Sequence, residues 1–121
     1  MQNSDILLQT LKQITNLEAN EEQLFLDAFK PYKLKKNEHF LQATEVCTKL
    51  GFLCIGLVRY YVFRNNEEAT LEFTKEGEFV ADYGSFISKE PSIQNIQALE
   101  DCEFLVIDYD KLQELYKISK N

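Results

Sequence analysis

Histidine and arginine are nearly absent from this chain: among 121 residues there is one His, His39, and there are two Arg, Arg59 and Arg64. One imidazole cannot supply a His-rich metal site or the several His that a cupin-type centre combines with a carboxylate. No metal ligands are therefore assigned. Serine or cysteine hydrolysis needs a base beside the nucleophile, and His39 sits near a tight turn without a nucleophile motif. The chain is read as not an enzyme, with a cupin-like enzyme the weakest alternative. Cysteine is limited to Cys47, Cys54 and Cys102, widely spaced and without a CxxC pair. That usage suits reduced thiols packed in the core of a cytoplasmic protein. Four Gly and two Pro exclude collagen-like and low-complexity character. No apolar run approaches the roughly 18 residues that span a bilayer, and Met1–Asp5 lacks the basic flank of a secretory signal; no membrane contact is expected. Basic charge is also short, 13 Lys and Arg against 20 Asp and Glu for a net charge of −7. Such a domain repels phosphate backbones and is poorly suited to holding nucleic acid by itself.

What is present is globular: 45% apolar residues, with nine Phe and six Tyr. The length suits one domain over 1–121. Residues 4–14 carry Leu7, Leu11 and Ile14 at helical spacing. A second helix is expected from Asn20 as N-cap, with Gln23 completing a capping box, an apolar stripe of Leu24, Phe25, Ala28 and Phe29, and Pro31 as its stop. From Tyr32 the period becomes two. Short strands are expected at 32–35 and 39–42, then an apolar run from Leu50 to Phe63 broken by Gly51 and Gly56. Residues 57–74 read as a hairpin turning at Arg64–Glu67, and 75–78 as a further turn. Residues 79–88 suit a loop with a short helix. Strands follow near Ile93–Leu99 and at Phe104–Ile107. Asp110 is expected to cap a last helix bearing Leu112, Leu115 and Tyr116 on one side. No later sequence covers that stripe, which suggests a truncated chain or a dimerisation element. Short strands at this spacing suggest a β-sandwich or barrel, so the fold class is mainly β with flanking helices: helices over 1–31, the sandwich or barrel over 32–109 and the start of a helix over 110–121.

The order of elements, with Gly56–Tyr61, Glu76-Gly77-Glu78-Phe79-Val80, Asp82-Tyr83-Gly84-Ser85-Phe86, Pro91-Ser92 and Ala98–Glu103, resembles the cyclic-nucleotide-binding domain. It resembles most the sensor domain of Crp/Fnr-family bacterial transcription regulators, in the variant common in Bacteroidetes. The resemblance implies a double-stranded β-helix (jelly roll) and an allosteric sensor whose effector shifts a cassette and the helix after it. It implies self-association through the C-terminal helix in the full-length protein, and DNA contact only through a helix-turn-helix domain not in this chain. The family's Fnr branch uses a close N-terminal Cys cluster, and no Cys precedes position 47. Haem ligation likewise finds no matching context at His39 or the cysteines.

In family members that bind cyclic nucleotides, a glycine-containing turn leads into a loop and short helix that face the phosphate, a Glu accepts from the ribose, and an Arg pairs with the phosphate. Carried onto this chain, Gly77-Glu78-Phe79 is the opening turn, Asp82 falls at the Glu position, and Tyr83, Gly84 and Ser85 follow it. Ser92 falls at the Arg position and Ile93 at the next. The effector is thus unidentified, and a cyclic nucleotide would lack its cation there. Arg59 and Lys89 are the candidate anion contacts. Each residue also has a plainer reading. Asp82 could cap the short helix, Gly84 and Ser85 could form an ordinary turn, and Ser92 could be a loop serine. Arg59 could project outward to an acidic neighbour. A stand-alone ligand- or protein-binding module is the alternative to a regulator's sensor.

Overall fold

The structure is a computed structural model that describes residues 3–119. The expectations that touch Met1, Gln2, Lys120 and Asn121 lie outside the described residues. Helix α1 (Asn3–Ile14) buries Leu7 and Leu11 and leaves Ile14 exposed. Helix α2 (Ala19–Ala28) starts earlier than the sequence suggests, because its N-cap is Glu18 rather than Asn20. The Glu18 N–H donates to the Glu21 carboxylate at 2.9 Å. Glu21 and Glu22 complement the positive end of the helix dipole, a role neutral Gln23 cannot fill. Gln23 instead donates to Asp27 one turn on, at 2.7 Å. Phe25, Ala28 and Phe29 are buried, but Leu24 is largely exposed.

The chain turns extended at Phe29, and Pro31 lies inside β1 (Lys30–Leu34). This is the edge strand of its sheet, where a missing N–H is tolerated. The other strands are β2 (His39–Leu41), β3 (Lys49–Ile55), β4 (Leu57–Arg64), β5 (Glu67–Lys75), β6 (Phe79–Val80), β7 (Asn95–Ala98) and β8 (Cys102–Asp108). They form two antiparallel sheets, ordered β1-β8-β3-β6 and β2-β7-β4-β5. The result is a jelly roll with Phe52, Leu53, Val58, Val80, Ile96, Phe104 and Ile107 buried at its core.

Two turns set this arrangement. Asn65 and Asn66 both adopt positive φ, 53° and 66°, as a two-residue hairpin turn requires, and so fix the Arg64–Glu67 pairing. Gly56, at φ +114°, carries the chain from β3 in one sheet to β4 in the other. The thiols follow the core reading in part. Cys47 and Cys102 are buried, whereas Cys54 is half-buried against the core edge.

The last helix, α4 (Tyr109–Ser119), departs from expectation twice. Asp108, still extended at the end of β8, accepts the Lys111 N–H at 2.8 Å, while Asp110 sits within the first helical turn. The cap is therefore Asp108, since an N-cap must precede the helical residues. The stripe expected to lie uncovered is also partly covered. Leu112 and Leu115 are buried in the domain's own core, and α2 packs against α4. The strands run from 30 to 108 rather than 32 to 109.

Candidate effector site

The residues singled out by the sequence fall mostly in the segment from Ala81 to Gln94. Asp82 is the N-cap of the short helix α3 (Tyr83–Ser88), and its Oδ1 accepts the Ser85 N–H at 3.2 Å. Its other carboxylate oxygen accepts a hydrogen bond from the buried Ser92 hydroxyl. Ser92 Oγ in turn accepts the Gln94 N–H at 3.1 Å. Burial pushes the Asp82 carboxyl up. Hydrogen bonds from Ser92, Ser85, Gln94 and Gly84 more than offset this, so Asp82 titrates below the usual aspartate value and is ionised at neutral pH. Lys89, at φ 63°, closes α3 by donating its N–H to the Ser85 carbonyl at 2.8 Å. Ser85 is buried; its hydroxyl donates to the Glu90 carbonyl and accepts the Cys47 N–H at 2.9 Å. The Ser92 N–H donates to the Glu45 carbonyl, and the Ser92 carbonyl accepts the Thr44 N–H, both at 2.8 Å.

The fold thus brings Asp82, Gly84, Ser85 and Ser92 together. The side chains of the other sequence-selected residues lie outside that network, although the Lys89 backbone joins it at Ser85. Gly77 occupies the turn between β5 and β6 at φ +88°, donating its N–H to the Leu53 carbonyl at 2.8 Å. Tyr83 and Ile93 are solvent-exposed, Ile93 at 85%. Lys89 Nζ lies over the Tyr109 ring, 4.5 Å from its centre, and Phe86 meets the same ring edge-on at 5.3 Å. Among the described residues, no Lys or Arg forms an ion pair with Asp82.

One residue beside the candidate site escaped the sequence reading. Tyr60 is buried on β4, its hydroxyl accepting the Ala81 N–H at 3.0 Å and lying 3.2 Å from the Ala81 carbonyl, to which it donates. Burial pushes its phenol up to about 12; the bond to Ala81 opposes that rise, and nearby Tyr83 and Glu72 add to it. The available signal was the alternation of β4, which turns Val58 and Tyr60 inward together.

A family model for the cyclic nucleotide-binding domain matches residues 31–119. The chain belongs to this family. No curated protein matches it in sequence. Among solved structures, the sensor domain of the transcriptional regulator DNR from Pseudomonas aeruginosa is 18% identical with a TM-score of 0.78, over 97% of this chain and 81% of that one. The catabolite activator protein of Thermus thermophilus is 19% identical with a TM-score of 0.77, over 88% of this chain and 50% of that one. A guanosine-bound regulatory subunit of a cAMP-independent protein kinase A from Trypanosoma cruzi is 13% identical with a TM-score of 0.78, over 94% of this chain and 41% of that one. At these identities the likeness shows the fold. The chain spans half or less of the last two proteins. Among the described residues of this cyclic nucleotide-binding domain, no helix is long and apolar enough to cross a membrane, and no cluster of metal-ligating side chains occurs.

On the outer face of the domain's second sheet, Arg59 alternates with the inward-facing Val58 and Tyr60. Its Nε and Nη2 both donate to Gln97 Oε1, at 3.0 and 2.8 Å; it pairs with Glu68 and stacks over Tyr61 at 4.2 Å. Beside it, His39 Nε2 and the Tyr61 hydroxyl share a hydrogen bond of 2.8 Å. Burial and the Arg59 charge lower the His39 pKa below its ordinary 6.5, against smaller opposing effects of Glu45 and Glu68. As pH falls through 6.5, the unfolded chain takes up the proton first. His39 therefore contributes stability above 6.5 that is lost as pH drops through its folded value. Melting temperatures at pH 7.5 and 5.5 should show a smaller decline for His39→Gln than for the wild type. An equal decline would remove His39 from the acid response.

Proposed function

We propose that this domain is the effector-sensing part of a Crp/Fnr-like transcription regulator of the type common in Bacteroidetes, with weak or no affinity for cAMP and cGMP. The hydrogen bond between Asp82 and Ser92 carries the reading. By resemblance, those two positions supply the ribose acceptor and the phosphate-binding Arg. Here they satisfy each other. A cyclic phosphate diester keeps one negative charge at neutral pH, and it would meet an ionised carboxylate without a compensating cation. Charge-assisted hydrogen bonds contribute about 1.5–3 kcal/mol each, so losing one costs roughly 10–150-fold in affinity. Lys89 is engaged with the Tyr109 ring, and Arg59 with Gln97 and Glu68 on the outer face. The residues present do not fit a free cyclic monophosphate.

A cytoplasmic regulator needs a path from cassette to output. Phe86 and Lys89, on and just after α3, both contact Tyr109, the first residue of α4. An effector that moved α3 would therefore act directly on the helix that leads to the rest of the regulator. It would shift the equilibrium by its differential affinity for the two arrangements. Self-association through that helix in the full-length protein, and DNA contact through a domain outside this chain, complete the proposal. Calorimetric titration with cAMP, cGMP and cyclic dinucleotides tests it. Dissociation constants weaker than about 100 µM are expected for the monophosphates, and sub-micromolar cAMP binding would overturn the weak-affinity reading.

A further inference from the structure

We infer that Tyr60 is a built-in occupant of the effector site, a specificity-determining side chain that excludes nucleotide phosphates and holds the cassette in place without a ligand. The inference rests on the reading of residues 77–93 as the effector cassette. The hydroxyl of Tyr60 meets both the N–H and the carbonyl of Ala81, the residue immediately before Asp82. Its ring therefore bridges the space between the β2-β7-β4-β5 sheet and the start of the cassette, and it does so while only 4% exposed. A tyrosine side chain there takes up volume that a nucleotide would otherwise need.

Three backbone donors of the segment are engaged internally. Ala81 N–H is held by Tyr60, Ser85 N–H by the Asp82 carboxylate and Phe86 N–H by the Asp82 carbonyl. A phosphate arriving at this helix start would have to displace internal partners. The charge is also unfavourable. Glu72 lies directly opposite Tyr60 in the β4–β5 register and so shares its face of the sheet. With Asp82 it gives the neighbourhood two carboxylates and no paired cation among the described residues. Volume and charge thus act together. Restoring the cassette cation alone should not restore nucleotide binding.

The test uses Tyr60→Phe, Ser92→Arg and the double variant Tyr60→Ala/Ser92→Arg. In Tyr60→Phe the ring stays and only the hydroxyl is lost. Amide exchange at Ala81 is expected to speed up at least about tenfold, while the amides of β8 keep their protection. In calorimetry with cAMP, Ser92→Arg alone is expected to gain little, and the double variant to bind at least about 30-fold more tightly than Ser92→Arg. Unchanged Ala81 exchange in Tyr60→Phe overturns the inference, as does cAMP binding by Ser92→Arg equal to that of the double variant. Should the double variant fail to fold, the exchange measurement on Tyr60→Phe decides. That measurement contains no ligand, so its failure leaves the weak-affinity reading standing. Tight cAMP binding by the wild-type chain would instead sink the weak-affinity reading itself.

Discussion

Replacing Gly56 with alanine is expected to destabilise the domain by about 4 kcal/mol and to lower its melting temperature by roughly 15 °C. Gly56 has φ +114°, a conformation that L side chains rarely adopt. A Cβ there would also lie 2.5 Å from Cys102 Sγ, 2.9 Å from the Asp101 carbonyl oxygen and 3.0 Å from Cys102 Cα. Two of those three atoms are backbone and cannot swing away. They belong to the turn into β8, so relief would shift the strand at the centre of its sheet. Gly77→Ala is the internal control. Its φ of +88° imposes comparable backbone strain, but nothing lies within 4 Å of the added carbon. That variant should lose only about 1 kcal/mol. Thermal or denaturant unfolding of both reads the difference. Equal losses would mean that the contact with Cys102 contributes nothing and that strain alone governs both sites.

Asp82→Ala is expected to remove about 3 kcal/mol and to lower the melting temperature by roughly 10 °C. About 1 kcal/mol is the lost helix cap. The remainder comes from leaving the Ser85 N–H without its acceptor and the buried Ser92 hydroxyl with only the Gln94 carbonyl at 3.2 Å. Asn serves nearly as well as Asp at an N-cap, so Asp82→Asn should recover part of the loss without restoring the charge. The pH dependence separates the two effects. The Asp82 pKa lies below 3.8 in the folded state, so its stabilisation is present above 3.8 and is lost as pH falls through the folded value. Acid titrations of stability should therefore flatten below pH 4 in both variants. An Asp82→Ala protein within about 0.5 kcal/mol of the wild type would show that the network around α3 does not hold the cassette.

Much of the domain's architecture can be read locally. The alternation in Val58–Phe63, the paired asparagines at 65 and 66, and the strand at 104–107 act over a few residues, and periodicity and turn chemistry suffice to find them. Caps were less legible because several acidic or amide side chains compete near each helix start. Glu18 displaced Asn20, and Asp108 displaced Asp110, since the backbone ahead of each helix is already extended at those residues. The uncovered look of Leu112 and Leu115 was lost for a different reason. The helix that covers them, α2, lies some ninety residues earlier in the chain.

The jelly roll was what the resemblance implied, whereas the sequence by itself determined a mainly β chain with flanking helices, the lack of a His-rich metal site, the net acidic charge and the scarcity of arginine. Composition and short-range pattern fix those properties regardless of how distant segments meet. Only the tertiary structure decided what surrounds the cassette. The bonds of Ser92 to Asp82, Ala81 to Tyr60 and Cys47 to Ser85 join residues 10, 21 and 38 positions apart. Those contacts depend on strand register across two sheets, including the irregularities at Leu53/Ile55 and Tyr60/Tyr61. A one-residue slip reverses which side chains face inward. Register is why Arg59 lies outside with Glu68, and why Tyr60 lies inside against Ala81.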